Sequence, residues 1–161
     1  MRKYTFICFL VALVGPALWI YNSIVFSQNC GGYLKQAADA NSVELAIERL
    51  DKAIYYIETN GLTDGYTSVL WRTEKDNIGF WYTNINACRT ELENCRESSQ
   101  LEQTNVLLKV RESLTNTSDG NVVLNVPNGI SRYPHNLVYG LLMWLSCLAF
   151  IFGLLFRPIW W

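Results

Sequence analysis

Two uncharged blocks dominate the hydropathy pattern. Tyr4 to Phe26 reads YTFICFLVALVGPALWIYNSIVF and Leu137 to Phe156 reads LVYGLLMWLSCLAFIFGLLF, with no Lys, Arg, Asp or Glu in either. As helices rising 1.5 Å per residue they measure about 34 and about 30 Å, close to the ~30 Å hydrocarbon core of a bilayer. Buried helices of soluble proteins rarely run so far without a charge. The pattern predicts two transmembrane helices, residues 4–26 and 137–156. The alternative for the first block is a secretory signal, with Arg2 and Lys3 as its basic start and a cut before Gln28. The run is longer than the about 7–15 apolar residues of a usual signal, so a retained span is the expectation.

Between the blocks the period changes to that of half-buried helices. Apolar residues fall at Ala40, Val43, Ile47, Leu50, Ile54 and Ile57, in steps of three and four. Asn41 or Ser42 can cap this helix, and Gly61 after Asn60 can stop it. A second seam follows Asp76 or Asn77, through Ile78, Trp81, Ile85, Cys88, Leu92 and Cys95. Ser99 and Glu102 spell a capping box for a third helix through Leu101, Leu107 or Leu108, Val110 and Leu114. The expected segments are roughly 42–60, 77–97 and 99–115. Upstream, GGYLKQAADA continues the first span outward, with a kink at the Gly pair. GYTSVLW (65–71) and NVVLNV (121–126) are rich in β-branched residues and are expected to pair as a small ribbon, with TNTSDGN as a polar turn.

Charge assigns these pieces to sides of a membrane. All 14 acids lie between the blocks, with 10 of the 13 Lys and Arg, leaving this segment at −4. Arg2, Lys3 and Arg157 flank the blocks without an acid nearby, and basic residues are retained on the cytoplasmic side. The expected organisation is a cytoplasmic N-terminus (1–3), a span (4–26), an extracytoplasmic domain (27–136), a span (137–156) and a cytoplasmic C-terminus (157–161). Trp160 and Trp161 suit an interfacial aromatic belt, beyond a helix ended by Pro158. With so little charge or mass assigned inside, no cytoplasmic output domain is expected. The fold class is mainly α: two transmembrane helices flanking an extracytoplasmic domain of about three helices, with a possible small β-ribbon.

Chemical candidates are few. Of five cysteines, Cys8 and Cys147 lie in the spans, and Cys30, Cys88 and Cys95 lie outside. Seven positions along one helix put Cys88 and Cys95 about 10.5 Å apart, beyond the ~7 Å Cα limit for a disulfide. Their bland reading is small buried residues; their functional reading, with Cys30, is a redox-responsive set. The lone His135 has no partner base or nucleophile nearby. No G-x-S-x-G, H-E-x-x-H or P-loop is present. Neither enzyme activity nor any cofactor or metal is expected, and the net acidity argues against nucleic acid.

Phe80, Trp81 and Tyr82 are consecutive on one helix and point to different sides. Trp81 belongs to the seam, so one of the others is exposed, packs under GYTSVLW, or meets a partner. Trp81 is expected to pack on Ile54 or Ile57 at the end of the bundle far from the membrane. In the spans, Ala149-x-x-x-Gly153 and Cys8-x-x-x-Ala12 have the spacing that lets membrane helices approach closely, within the chain or to another protein. Gly15 and Pro16 can bend the first span.

Along GYTSVLW, DNIGFWYTNINA and LEQTNVLLKVRESL, the segment from about 33 to 134 is similar to uncharacterised membrane proteins of cyanobacteria. The resemblance implies a bacterial plasma or thylakoid membrane with the domain in periplasm or lumen. It carries no activity and no residue role. The reading of the sequence is a non-enzymatic accessory, assembly or scaffold subunit of a membrane complex, with the lipid bilayer and a membrane-protein partner or second copy as its contacts. The alternatives are an extracytoplasmic ligand-binding module and a cysteine-based redox protein.

Overall fold

The computed structural model describes residues 2–118 and 120–155, with side chains from Thr5 onward. Arg157, Pro158, Trp160, Trp161 and the side chains of Arg2 and Lys3, on which the expected topology rests, lie outside the described residues. The elements run α1 (Arg2–Phe26), a π-helical turn (Ser27–Gly31), α2 (Gly32–Ala38), α3 (Val43–Thr59), a 3-10 turn (Glu74–Asp76), α4 (Ile78–Asn94), α5 (Gln100–Leu114), β1 (Thr115–Ser118), β2 (Asn121–Leu124), a 3-10 turn (Ile130–Arg132) and α6 (Asn136–Leu155). The chain is mainly helical and divides into two compact units. Unit 1 is the chain up to Ile24 together with the chain from Ser131 onward; unit 2 is Val25–Ile130.

Unit 1 holds the larger part of α1 and all of α6. Both helical runs are long and apolar enough to cross a membrane. They pack antiparallel: Gly153 faces Cys8 and Phe9, Gly15 faces Ser146, and Asn22 reaches Tyr139. α1 stays helical through Pro16. Residues 131–135 group with the spans and not with the domain expected over 27–136. Arg132 explains this, because its guanidinium lies over the Trp19 ring, 4.7 Å from the centroid.

Unit 2 is built on four helices where three were expected. The GGYLKQAADA segment does continue α1, but as a wall of the bundle: Leu34, Ala37 and Ala38 of α2 are buried. At the Gly pair, where a kink was expected, the chain stays helical through a π-helical turn, Ser27–Gly31, with αR residues on both sides. α3 buries Val43, Ala46, Ile47, Leu50, Ala53, Ile54 and Ile57, one continuous stripe at helical spacing. Ser42 caps it, its side chain accepting from Leu45 N–H. Its far end closes as a Schellman motif: Gly61 adopts φ +66°, Leu62 N–H bonds Ile57 C=O at 2.8 Å, and Gly61 N–H bonds Glu58 C=O at 3.1 Å.

α4 runs antiparallel to α3, fixed by Tyr82 to Glu58 near one end and Arg89 to Asp51 further along. It buries Ile78, Trp81, Ile85, Cys88 and Leu92, with Asn77 as cap. α5 is capped by Ser99, accepting from Glu102 N–H. Only its second half docks: Val110 and Leu114 are buried and, of the alternatives Leu107 and Leu108, Leu107 is half-buried and Leu108 exposed, whereas Leu101, expected in the seam, is exposed. Fully buried Leu34, Leu50, Ile57, Ile78, Ile85, Leu92 and Val110 make the core.

The ribbon exists with a different partner. β2 pairs antiparallel with β1, in register Thr115↔Leu124 to Ser118↔Asn121, while 65–71 is irregular apart from one bridge, Tyr66 to Asn77. The reason is local. Ser118 and Asn121 are only three positions apart, and closing so short a loop costs far less entropy than pairing segments fifty residues apart. Gly120 sits at φ +79°.

Candidate functional site

The two helices of unit 1 are joined at three depths. Near one end Gly153 lies against Cys8 and Phe9; a side chain there would meet the Phe9 ring at 3.3 Å. At mid-helix the Gly15 N–H donates to Ser146 Oγ at 3.2 Å, and a Cβ on Gly15 would stand 2.6 Å from that oxygen and 3.1 Å from Leu142 C=O. Near the other end Asn22 Nδ2 donates to Tyr139 Oη at 2.9 Å. Away from water such polar bonds hold helices together, and glycine allows the close approach that makes them. So Cys8 and Gly153 of the small-residue motifs face each other within this chain. Ala149 is half-buried. Beside this seam an apolar groove of about 530 Å³ opens, lined among others by Phe9, Ala12, Leu13, Ser146, Cys147 and Phe150. The Phe9 and Phe150 rings meet edge to face, 5.8 Å apart.

Unit 2 places its three consecutive aromatics on three kinds of surface. Trp81 is 7% exposed and Phe80 61%. Tyr82 is half-buried, its hydroxyl donating to Glu58 Oε1 at 2.6 Å. That bond to a carboxylate, which a phenolate would lose, pushes the Tyr82 hydroxyl pKa up. The bond also locates the cluster. Glu58 lies in the last turn of α3, two residues after Tyr56, whose ring meets Phe26, the last residue of α1. Trp81 therefore stands at the end of unit 2 that contains Phe26. The sequence reading put it at the opposite end. The reversal follows from α2, since a helix that leads out of Phe26 makes α3 the returning element and α4 the outgoing one.

At this same end the loop between α3 and α4 exposes Val69, Leu70 and Trp71. The loop is held in place. Ile78 N–H bonds Gly65 C=O at 2.9 Å, Thr67 N–H bonds Asp76 C=O at 3.0 Å, and the Arg72 guanidinium lies 5.2 Å from the centre of the Tyr66 ring. Next to it a polar groove of about 320 Å³ is lined by Phe80, Trp81, Asn77, Asn84 and Lys75 on one side and Asn116, Asn125 and Asn128 on the other. Phe80 thus edges the groove, and the GYTSVLW loop leaves it uncovered.

The cysteines do not come together. All five are free thiols, with Cys30, Cys88 and Cys95 buried in separate parts of the bundle. Burial pushes the Cys88 thiol pKa up, partly offset by a hydrogen bond involving Ser113, and burial does the same at Cys95. A protonated buried thiol is a poor nucleophile. His135 spends its backbone on local turns, its N–H bonding Arg132 C=O and its C=O accepting from Tyr139. Among the described residues no three His, Cys, Asp or Glu side chains gather to hold a metal ion.

Sequence reasoning missed Gly15, Ser146, Asn22 and Tyr139 as a set. A signal was present: polar and small residues inside uncharged spans, at positions whose numbers fall together when the helices are laid antiparallel. It also missed Val69, Leu70 and Trp71, because it assigned that stretch to a strand. No family model matches the chain, and no curated protein and no solved structure resembles it significantly.

Proposed function

We propose that this chain is an integral membrane protein, with unit 1 as a two-span hairpin and unit 2 on the extracytoplasmic side of a bacterial plasma or thylakoid membrane. It works without catalysis, as an accessory, assembly or scaffold subunit of a larger membrane complex. The observation that carries the reading is the groove of unit 1. It is lined by small residues (Ala12, Ser146, Cys147), two aromatic rings (Phe9, Phe150) and Leu13, Pro16, Met143 and Ile151, with a volume of about 530 Å³. Close packing, more than apolarity, drives helices together in lipid, and a concave apolar face that includes small residues offers it. Arg2, Lys3 and Arg157 support the sidedness.

The test is a photo-crosslinking amino acid at Leu13, on the groove, in the native membrane, with the same group at Trp144 as a lipid-facing reference. The reading expects a discrete protein adduct from position 13, lost in Gly15→Leu, which forces the two helices apart. Adducts to lipid alone from both positions would remove the accessory role. Reporter fusions at residue 1 and at Asp119 check sidedness and should disagree.

A second reading has its own observation. The groove of unit 2 is lined by two exposed asparagine side chains, Asn84 and Asn128, beside the exposed Phe80 ring. Amides that both donate and accept, next to an aromatic face, suit a small polar ligand. Ligand-dependent chemical-shift changes confined to Asn84, Asn128 and Phe80 in a metabolite screen would move the reading to a binding module. The redox reading has less support, since it needs accessible thiolates and the three thiols are buried.

A further inference from the structure

We infer that Val69, Leu70 and Trp71 form a fixed wedge that seats in the interfacial layer of the bilayer, beside the point where α1 emerges. The inference rests on the reading of α1 as a membrane span. Three observations carry it. First, the side chains are offered to the outside: Leu70 and Trp71 are each 79% exposed, and Val69 joins them. Second, the backbone that presents them is pinned. The Tyr66–Asn77 bridge, the Thr67 and Ile78 hydrogen bonds and the Arg72–Tyr66 contact hold the loop from both sides. A loop that merely waved an apolar tip through water would not need that bracing.

Third, the loop stands at the end of unit 2 that contains the last residues of the first uncharged block. Phe26 touches Tyr56 in the final turns of α3, the loop follows α3 directly, and α4 begins where the loop ends. Phe80 adds an exposed ring there, and β2, whose Leu124 lies beside Gly31, exposes Val122 and Val123. The occupant that this position supplies is lipid. Trp favours the headgroup depth of a bilayer, with an aliphatic neighbour able to go deeper, and Arg72 can keep its charge outward along its stem.

The surrounding charges say how the wedge binds. Asp64, Glu74 and Asp76 outnumber Arg72 and Lys75, so attraction to anionic headgroups does not drive it. Apolar area does. Zwitterionic lipid therefore suffices, and salt does not release the wedge.

Hydroxyl-radical footprinting of the full chain, one copy per phosphatidylcholine nanodisc, reads water access at each residue without any substitution. Leu101, 73% exposed on α5, is the reference for a side chain in water. Rates are normalised to those of the unfolded chain. We expect Leu70 and Trp71 to oxidise several-fold more slowly than Leu101, at low and at high salt. Equal normalised rates overturn the wedge. So does protection seen in native membranes but not in the nanodisc, which would assign the surface to a protein partner. Trp144 of α6, 70% exposed, reports separately on the spans. If it oxidises at the solvent rate, the membrane reading itself fails, whatever Trp71 does.

Discussion

The two ends of unit 2 are built from the same helices and finished differently. One end holds the turn from α2 to α3 and the turn from α4 to α5, read as DANS (39–42) and CRESSQ (95–100). Its surface is polar apart from the exposed Leu101 at the start of α5, and its helices start on Ser42 and Ser99. The other end holds Phe26, the Schellman turn after α3, the Leu70–Trp71 loop and Phe80. There the aromatic residues divide into a buried one, Trp81, and exposed ones. The core beneath both ends is equally closed, with Leu92 and Ile78 both fully buried. The ends therefore differ in what they show outward and not in how well they are packed. A domain surrounded by water has no reason to concentrate exposed apolar side chains at one end.

The sharpest way to break this comparison is to exchange the roles of the aromatics at one end. Trp81→Ala removes a buried indole and should cost about 3–5 kcal/mol, a large part of the ~5–15 kcal/mol that holds a domain folded. Thermal or denaturant unfolding of the full chain in lipid nanodiscs, followed by the circular dichroism of unit 2, measures it. Tyr82→Ala leaves the core intact and loses one half-exposed hydrogen bond, worth no more than about 1.5 kcal/mol. Equal small losses at both positions would mean that Trp81 is not part of the core, and that the division of this end into buried and displayed rings is wrong.

The next effect belongs to the turn that opens the aromatic end. Gly61 holds φ +66° with open space around it, so Gly61→Ala brings backbone strain and no clash. An L-residue in the left-handed region loses about 1–2 kcal/mol, and the same unfolding curves should show it. A neutral result would mean that the Schellman turn does not fix where the loop begins. The bracing of Leu70 and Trp71 would then have to come from α4 alone.

At the polar end the stops are side-chain caps. Ser42→Ala and Ser99→Ala should each cost about 1 kcal/mol and, being far apart in sequence and on different helices, should add in the double variant. Helix-resolved hydrogen exchange adds a sharper reading, because fraying should appear in the first turns of α3 and α5 and leave the other end protected. If either cap variant loosened the 63–77 loop instead, the two ends would be coupled and could not be treated as independently finished.

These elements also show how far the sequence could be read. Three of the four helices of unit 2 were visible within one to three residues, because their signals are local: a 3–4 apolar step, a Ser or Asn cap, a Gly stop. The two apolar spans were visible from length and lack of charge. What escaped was whatever depends on pairing. The strand β1 is polar throughout, TNTS, and becomes a strand only because the chain turns back at Gly120 onto NVVL. Leu101 is exposed because only the second half of α5 docks, with Val110 and Leu114 buried, which apolar spacing cannot report. The end at which Trp81 stands depends on α2 being part of the bundle, and seven residues of GYLKQAA carry too few apolar positions to announce it. The seam of unit 1 was half legible. Small residues marked Gly153 and Cys8, but that Gly15 needs Ser146 appears only when the helices are laid side by side.

The smallest expected effect carries the comparison furthest. Trp71→Ser deletes as large a side chain as Trp81→Ala does, from the same end of the same unit. Trp71 is 79% exposed, and surface substitutions away from packing or strain usually stay within about 0.5 kcal/mol. The Arg72–Tyr66 contact that braces the loop does not involve the indole, so the loop should keep its shape. The unfolding curve of Trp71→Ser should therefore overlay that of the parent chain in detergent, where nothing specific covers the tip. A loss of the size expected for Trp81 would show that Trp71 folds inward. The displayed surface at this end would then shrink to Phe80 and the β2 valines. An unchanged curve leaves an apolar residue that the fold does not use, held on a loop that the fold takes care to fix.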